Sequence, residues 1–282
     1  MNLLLDPLVQ RMLIAGVVVG LAAPIVGTYL VQRRMALLGD GIGHVALAGV
    51  AAGWLAGSLA GFAQRDALAL PGAILFAIIG VVIIERMRSR GTAAADVVMA
   101  ILFYGGIALG VLLIGASGGT STNLLGYLFG SISTVSWADV WVSVVLAGVI
   151  IAIGIGLRRA LFAVTHDQEF ASASGLPVNV LNMLVAILAA VTVTVAMRVV
   201  GVLLVSALMI VPVAIAQLLT HSFNRTMLLA MGIGAALTLA GIAITLYVNL
   251  QPGALIVVIG VAAYAVVATA TATRRRRMGA RG

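Results

Sequence analysis

Nine apolar runs of roughly membrane-spanning length follow one another along the chain, separated by short breaks of arginine, proline or polar glycine-rich sequence. A helix that crosses a bilayer needs about 20 mostly apolar residues, because the hydrocarbon core is about 30 Å thick and each helical residue rises about 1.5 Å. The runs fall at 12–31, 37–61, 68–84, 94–115, 138–157, 178–197, 199–219, 227–248 and 253–271. The third is short, and only Arg198 interrupts the chain between 178 and 219, so eight spans is the alternative count. Hydrophobic residues make up 63% of the chain and charged residues 9%, whereas a soluble domain carries about 25% charged residues. So little charge cannot cover a watery surface. The expected fold is an all-α polytopic transmembrane helix bundle in one domain, 1–282. Asp6, Arg11 and a first run of full length do not fit a cleaved leader, so that run is expected to stay as a span.

The net charge of +8 does not suggest nucleic acid, because the 16 basic residues sit in short clusters between apolar runs rather than along one face. They work instead as topology signals, since arginine accumulates in cytoplasmic loops. With the C-terminus inside, Arg33, Arg34, Arg86, Arg88, Arg90, Arg158, Arg159, Arg225, Arg274 to Arg277 and Arg281 share the cytoplasmic side. Arg11, Arg65 and Arg198 are left outside, and nine spans then put the N-terminus outside as well. The tail, 272–282, is expected to lie in the cytoplasm, with Arg274 to Arg277 against anionic lipid.

Every basic residue is arginine, so the phosphate loop G-x-x-x-x-G-K-[ST] is excluded, and H-E-x-x-H is absent too. The chain is therefore not expected to be an enzyme. It has no cysteine, and so neither disulfides nor thiolate ligands. Many of its 33 glycines lie inside the runs, where small residues let helices approach closely. The segment from Ser117 to Ser136 is too polar for a span but carries Tyr127 and Phe129, a pattern expected of an amphipathic helix at the outer interface.

Ionisable groups inside a bilayer are costly and usually face a cavity or a partner. Asp40 and His44 stand four residues apart in GDGIGHVALAGVAAG, so a helix projects both from one face. A carboxylate and an imidazole suit a divalent cation such as zinc or manganese. They equally suit a hydrogen bond at a helix start, with Asp40 as the cap. His166, Asp167 and Glu169 lie in a cytoplasmic loop and His221 follows a span, so these read as loop polarity; Met209, near Pro212, reads as packing. A short helix is expected from Asp167 to about Ser174, stopped by Gly175 and Pro177.

Three stretches in order resemble the membrane permeases of ABC importers for zinc and manganese: Arg33 to Gly53, Asp167 to Val178, and Val199 to Leu219. LGYLFGSIS, Leu125 to Ser133, also fits. The resemblance implies the fold of cobalamin- and metal-chelate-type permeases, in the plasma (inner) membrane. It implies a homodimer, a separate ABC ATPase dimer that holds the ATP, and an extracytoplasmic metal-binding protein. No cofactor is bound permanently; Zn2+ or Mn2+ is the cargo, and Asp40 and His44 line its path. The 158–177 loop would dock the ATPase through Asp167, Glu169, Ala171, Ala173, Gly175 and Pro177. The sequence departs from the family pattern at Gly43, where many members have a small polar residue, and at Ala48, where manganese-type members often have proline. The metal therefore stays open. The alternatives are a permease for iron-siderophores or cobalamin and a stand-alone secondary metal carrier.

Overall fold

The apolar runs become helices whose ends are set by local caps. The structure is a computed structural model describing residues 6–61, 65–89, 95–117, 126–130, 135–248 and 250–279. Its helices are α1 (Pro7–Gln32), α2 (Leu38–Leu59), α3 (Ala69–Ser89), α4 (Ala95–Ala116), α5 (Trp137–Gly156), α6 (Arg158–His166), α7 (Gln168–Ala173), α8 (Val178–Val200), α9 (Val202–Leu219), α10 (Phe223–Thr245) and α11 (Pro252–Gly279). Among the described residues, eight helices are long and apolar enough to cross a membrane, and the stretch Leu204–Leu219 in α9 falls short. α9 as a whole is an apolar helix of 18 residues, Val202–Leu219, and Gly201, at φ +86°, ends α8 and delays α9 beyond the expected start at 199.

Two ends differ from expectation. The Asp6 carboxylate accepts from the Leu8 amide and Pro7 opens the helix, so α1 starts earlier than residue 12. Arg11 therefore lies inside α1, where its guanidinium sits 5.3 Å above the Trp137 ring. At the other end α11 runs on to Gly279, so most of the expected tail extends the last helix.

Helices α1, α2 and α8 form the centre, with 72%, 67% and 72% of their apolar windows buried against 28% for α4 and 17% for α11. α1 packs on α5, α8, α9 and α10, while α2 packs on α3, α4, α8 and α9. In lipid no hydrophobic effect draws helices together, so close backbone approach must do so. A Cβ on Gly49 would fall 2.4 Å from the Gly72 carbonyl oxygen, and one on Gly20 2.8 Å from that of Gly234. Outer rows such as Leu75, Ile79 and Ile83 on α3, or Trp141, Val145 and Val149 on α5, are exposed and apolar, as lipid-facing surfaces must be.

The expected interfacial helix at 117–136 lies largely outside the described residues. Its described part includes a helical turn at 126–129 that is partly buried against the bundle. The Tyr127 ring meets Trp54 edge-on at 5.3 Å. Gly130, at φ +76°, abuts Gly201, and both positions exclude a side chain by backbone contact.

Candidate functional site

The chain reverses between α1 and α2 through Arg34, at φ +57°, and Leu38 then starts α2 with Asp40 in its first turn. A carboxylate there complements the positive helix end. The cap position is Leu37 and no side chain caps the helix, so Asp40 is not the cap. His44 lies one turn further, its Nε2 3.9 Å from Asp40 Oδ1, beyond hydrogen-bond reach. The helix-start hydrogen bond is thus not made. His44 is buried, its Nδ1 has no hydrogen-bond partner, and its ring is held by the edge of Phe103, with centroids 4.4 Å apart. A buried polar atom without a partner needs an explanation. Two metal–ligand bonds of about 2.1 Å reach at most about 4.2 Å end to end, so one ion can bridge Asp40 Oδ1 and His44 Nε2, which is the ring nitrogen other than the unpartnered Nδ1.

Asp40 lines a cavity of about 270 Å³ between α2 and α4, together with Met99, Phe103 and Tyr104 among others; His44 is not part of that lining and meets it through the Phe103 ring. Glycines fix that interface. A Cβ on Gly106 would come 2.8 Å from the Val45 amide nitrogen, and one on Gly43 2.6 Å from a Val202 methyl. The second contact explains why Gly43 carries no polar side chain. Among the described residues no group of three His, Cys, Asp or Glu side chains is placed to hold a metal. Any ion here meets an open, incomplete ligand set.

A second polar cluster joins the end of α1 to α3 and α8. Arg33 donates to the Asn182 carbonyl oxygen, and Arg88 donates to the buried Glu85 at 2.8 Å. Burial, with Arg88 close by, pushes the Arg33 guanidinium down to about 10, which leaves it charged at neutral pH. The charge pattern alone had marked these arginines only as topology signals.

The 158–177 segment is two helices rather than one helix in a loop. In α6, the Phe162 and exposed His166 rings lie tilted 4.2 Å apart and Phe162 meets Phe223 at 5.0 Å, so His166 is a surface residue resting against Phe162. Asp167 then caps α7, accepting from the Phe170 amide at 2.9 Å. Gly175, at φ +79°, ends it, and the Leu176 amide folds back to the Ala171 carbonyl. Asp167, Glu169, Ala173, Gly175 and Pro177 are exposed, as a docking role requires. Ala171 is not: it is fully buried and drops out of the docking set, because the α7 face it occupies turns inward. Sequence reasoning passed by Phe170, which is 65% exposed on α7, and an open groove of about 840 Å³ lined by Glu169, Ala173 and Pro177 among others, but not by Phe170. It missed Phe103 and Tyr104 as well. His221 is exposed, and Met209 is buried against Gly39, which is the packing role expected of it.

The family described as "ABC 3 transport family" matches residues 5–271. The manganese transport system membrane protein MntC of Halalkalibacterium halodurans is 32% identical over 89% of this chain and 82% of its own. The manganese import system permease protein ScaB of Streptococcus parasanguinis is also 32% identical, over 88% and 85%. Among solved structures, PsaBC from Streptococcus pneumoniae in complex with Fab superposes with a TM-score of 0.81 at 29% identity, covering 94% of this chain and 92% of the other.

Proposed function

The chain belongs to the ABC 3 transport family, and on that premise we propose that it is the membrane permease of an ATP-driven importer for divalent transition-metal ions, manganese or zinc. The observation that carries this reading is the Asp40–His44 pair. It sets Asp40 Oδ1 and His44 Nε2 3.9 Å apart on a central helix, with Asp40 lining a cavity. Two protein ligands hold an ion more weakly than a closed four-ligand cage, which suits cargo that must be released.

A second copy covers the open side of the site, at the exposed face of α4, so that two pairs line one path. The α6–α7 segment faces the cytoplasm and docks a separate ATPase through Asp167, Glu169, Phe170, Ala173, Gly175 and Pro177. An extracytoplasmic metal-binding protein delivers the ion to the other side, and the arginines after residue 272 stay with the inner leaflet.

The test is metal uptake into proteoliposomes holding the permease with its ATPase. Asp40→Asn and His44→Ala should each reduce uptake to background while folding, dimer formation and ATPase binding stay nearly intact. Normal uptake by His44→Ala would remove the pair from the path. Uptake by the permease without any ATPase would mean a stand-alone carrier.

A further inference from the structure

We propose that Tyr104 is a specificity-determining residue of this path, supplying an uncharged oxygen next to Asp40 that favours manganese over zinc. The inference rests on the reading of Asp40 and His44 as cargo ligands and adds a residue to it. Asp40 and Tyr104 bear the only side-chain oxygens in the cavity lining; the remainder is apart from them hydrocarbon, glycine and the Met99 thioether. An ion that leaves its water shell there meets one carboxylate and one phenol before it reaches the imidazole. Oxygen donors suit manganese, whereas imidazole and soft sulfur suit zinc, so each added oxygen tilts the balance towards the harder ion.

The geometry makes Tyr104 available for this. Its ring meets Phe103 edge-on at 5.4 Å, and Phe103 in turn meets His44 at 4.4 Å, so three rings lead from the buried imidazole to an exposed phenol. Tyr104 is 69% exposed, and a Cβ on the neighbouring Gly105 would have nothing within 4 Å. Gly106, by contrast, is pressed onto α2, which keeps the base of Tyr104 level with the Asp40–His44 turn. A tyrosine serving only as a lipid anchor would need none of these neighbours.

The experiment is competitive uptake of manganese and zinc by the permease–ATPase complex in proteoliposomes, comparing Tyr104→Phe with Asp40→Asn. Tyr104→Phe keeps the ring and removes only the oxygen. The manganese-to-zinc uptake ratio should fall about tenfold, the low end of what losing a supporting group at a metal site costs. An unchanged ratio, or an equal loss for both ions, while Asp40→Asn abolishes transport, would overturn the role of Tyr104 alone. Normal transport by Asp40→Asn would overturn the cargo reading and this inference with it.

Discussion

The α2–α4 interface and the α6–α7 segment are inversions of each other. At the first, two ionisable groups sit among apolar helices, where each costs free energy unless something meets it. At the second, the aromatic ring of Phe170 stands 65% exposed on a short polar helix, next to Glu169. Each places a side chain in the wrong solvent. The supports differ as much. Asp40 and His44 are held by helices whose glycines touch backbone, so their geometry is stiff. Phe170 rides on six residues secured by one cap and one left-handed glycine, a unit small enough to adjust to a partner. The contrast suggests a stiff site that selects cargo and an adaptable one that receives force.

The largest effect should come from loosening the stiff region. Gly106→Val must displace α4 from α2, because the clash is with the backbone at Val45. Overpacking of this kind costs about 1–3 kcal/mol. Uptake should be lost while the ATPase still co-purifies with the permease. Gly105→Ala, one residue away and facing open space, should transport normally in the same assay. Equal damage from both would mean that α4 tolerates no change at all, and the contrast in stiffness would fail.

The next effect belongs to the adaptable region. Aromatic anchors at the centre of an interface cost about 2 kcal/mol or more when truncated, which is roughly a thirtyfold loss of affinity at 1.4 kcal/mol per decade. Phe170→Ala should weaken ATPase binding by about that factor, measured by titrating purified ATPase onto solubilised permease. Metal binding at Asp40 and His44 should not change. Full ATPase affinity in Phe170→Ala would show that the ring faces something else.

The helices could be placed from the sequence, because hydropathy over 20 residues outweighs local detail, but their ends less well: α3 and α4 start within one residue of the expected position, whereas α1 begins at Pro7 rather than 12 and α10 at Phe223 rather than 227. What could not be read depended on pairs far apart in sequence. Arg11 marks a loop until Trp137 is known to lie beneath it. Glu85 and Arg88 are a charge cluster until they are seen beside Arg33. The site divides the same way. Asp40 and His44 are four residues apart on one helix and announce themselves, but Phe103 and Tyr104 reach the site only because α4 packs on α2, and no local pattern says so. Phe170 is one aromatic among small and polar residues with no local pattern to single it out, while Ala171 proves to lie on the inward face of α7.

The smallest effect concerns the cap that starts α7. Asp167 could act by shape, holding the Phe170 amide at 2.9 Å, or by charge, presenting a carboxylate to a basic partner surface. Losing a cap costs about 1 kcal/mol, or roughly fivefold in affinity, because the helix must then be ordered on binding. Asp167→Ala should therefore weaken ATPase binding several-fold, less than Phe170→Ala does. Asn caps helices about as well as Asp but carries no charge, so Asp167→Asn should bind nearly as well as the unaltered chain. If Asn proves as poor as Ala, the partner reads the charge itself. Binding measured from about 50 to 200 mM salt would separate the cases again, since a charge contact weakens as screening increases and a cap inside one helix does so far less.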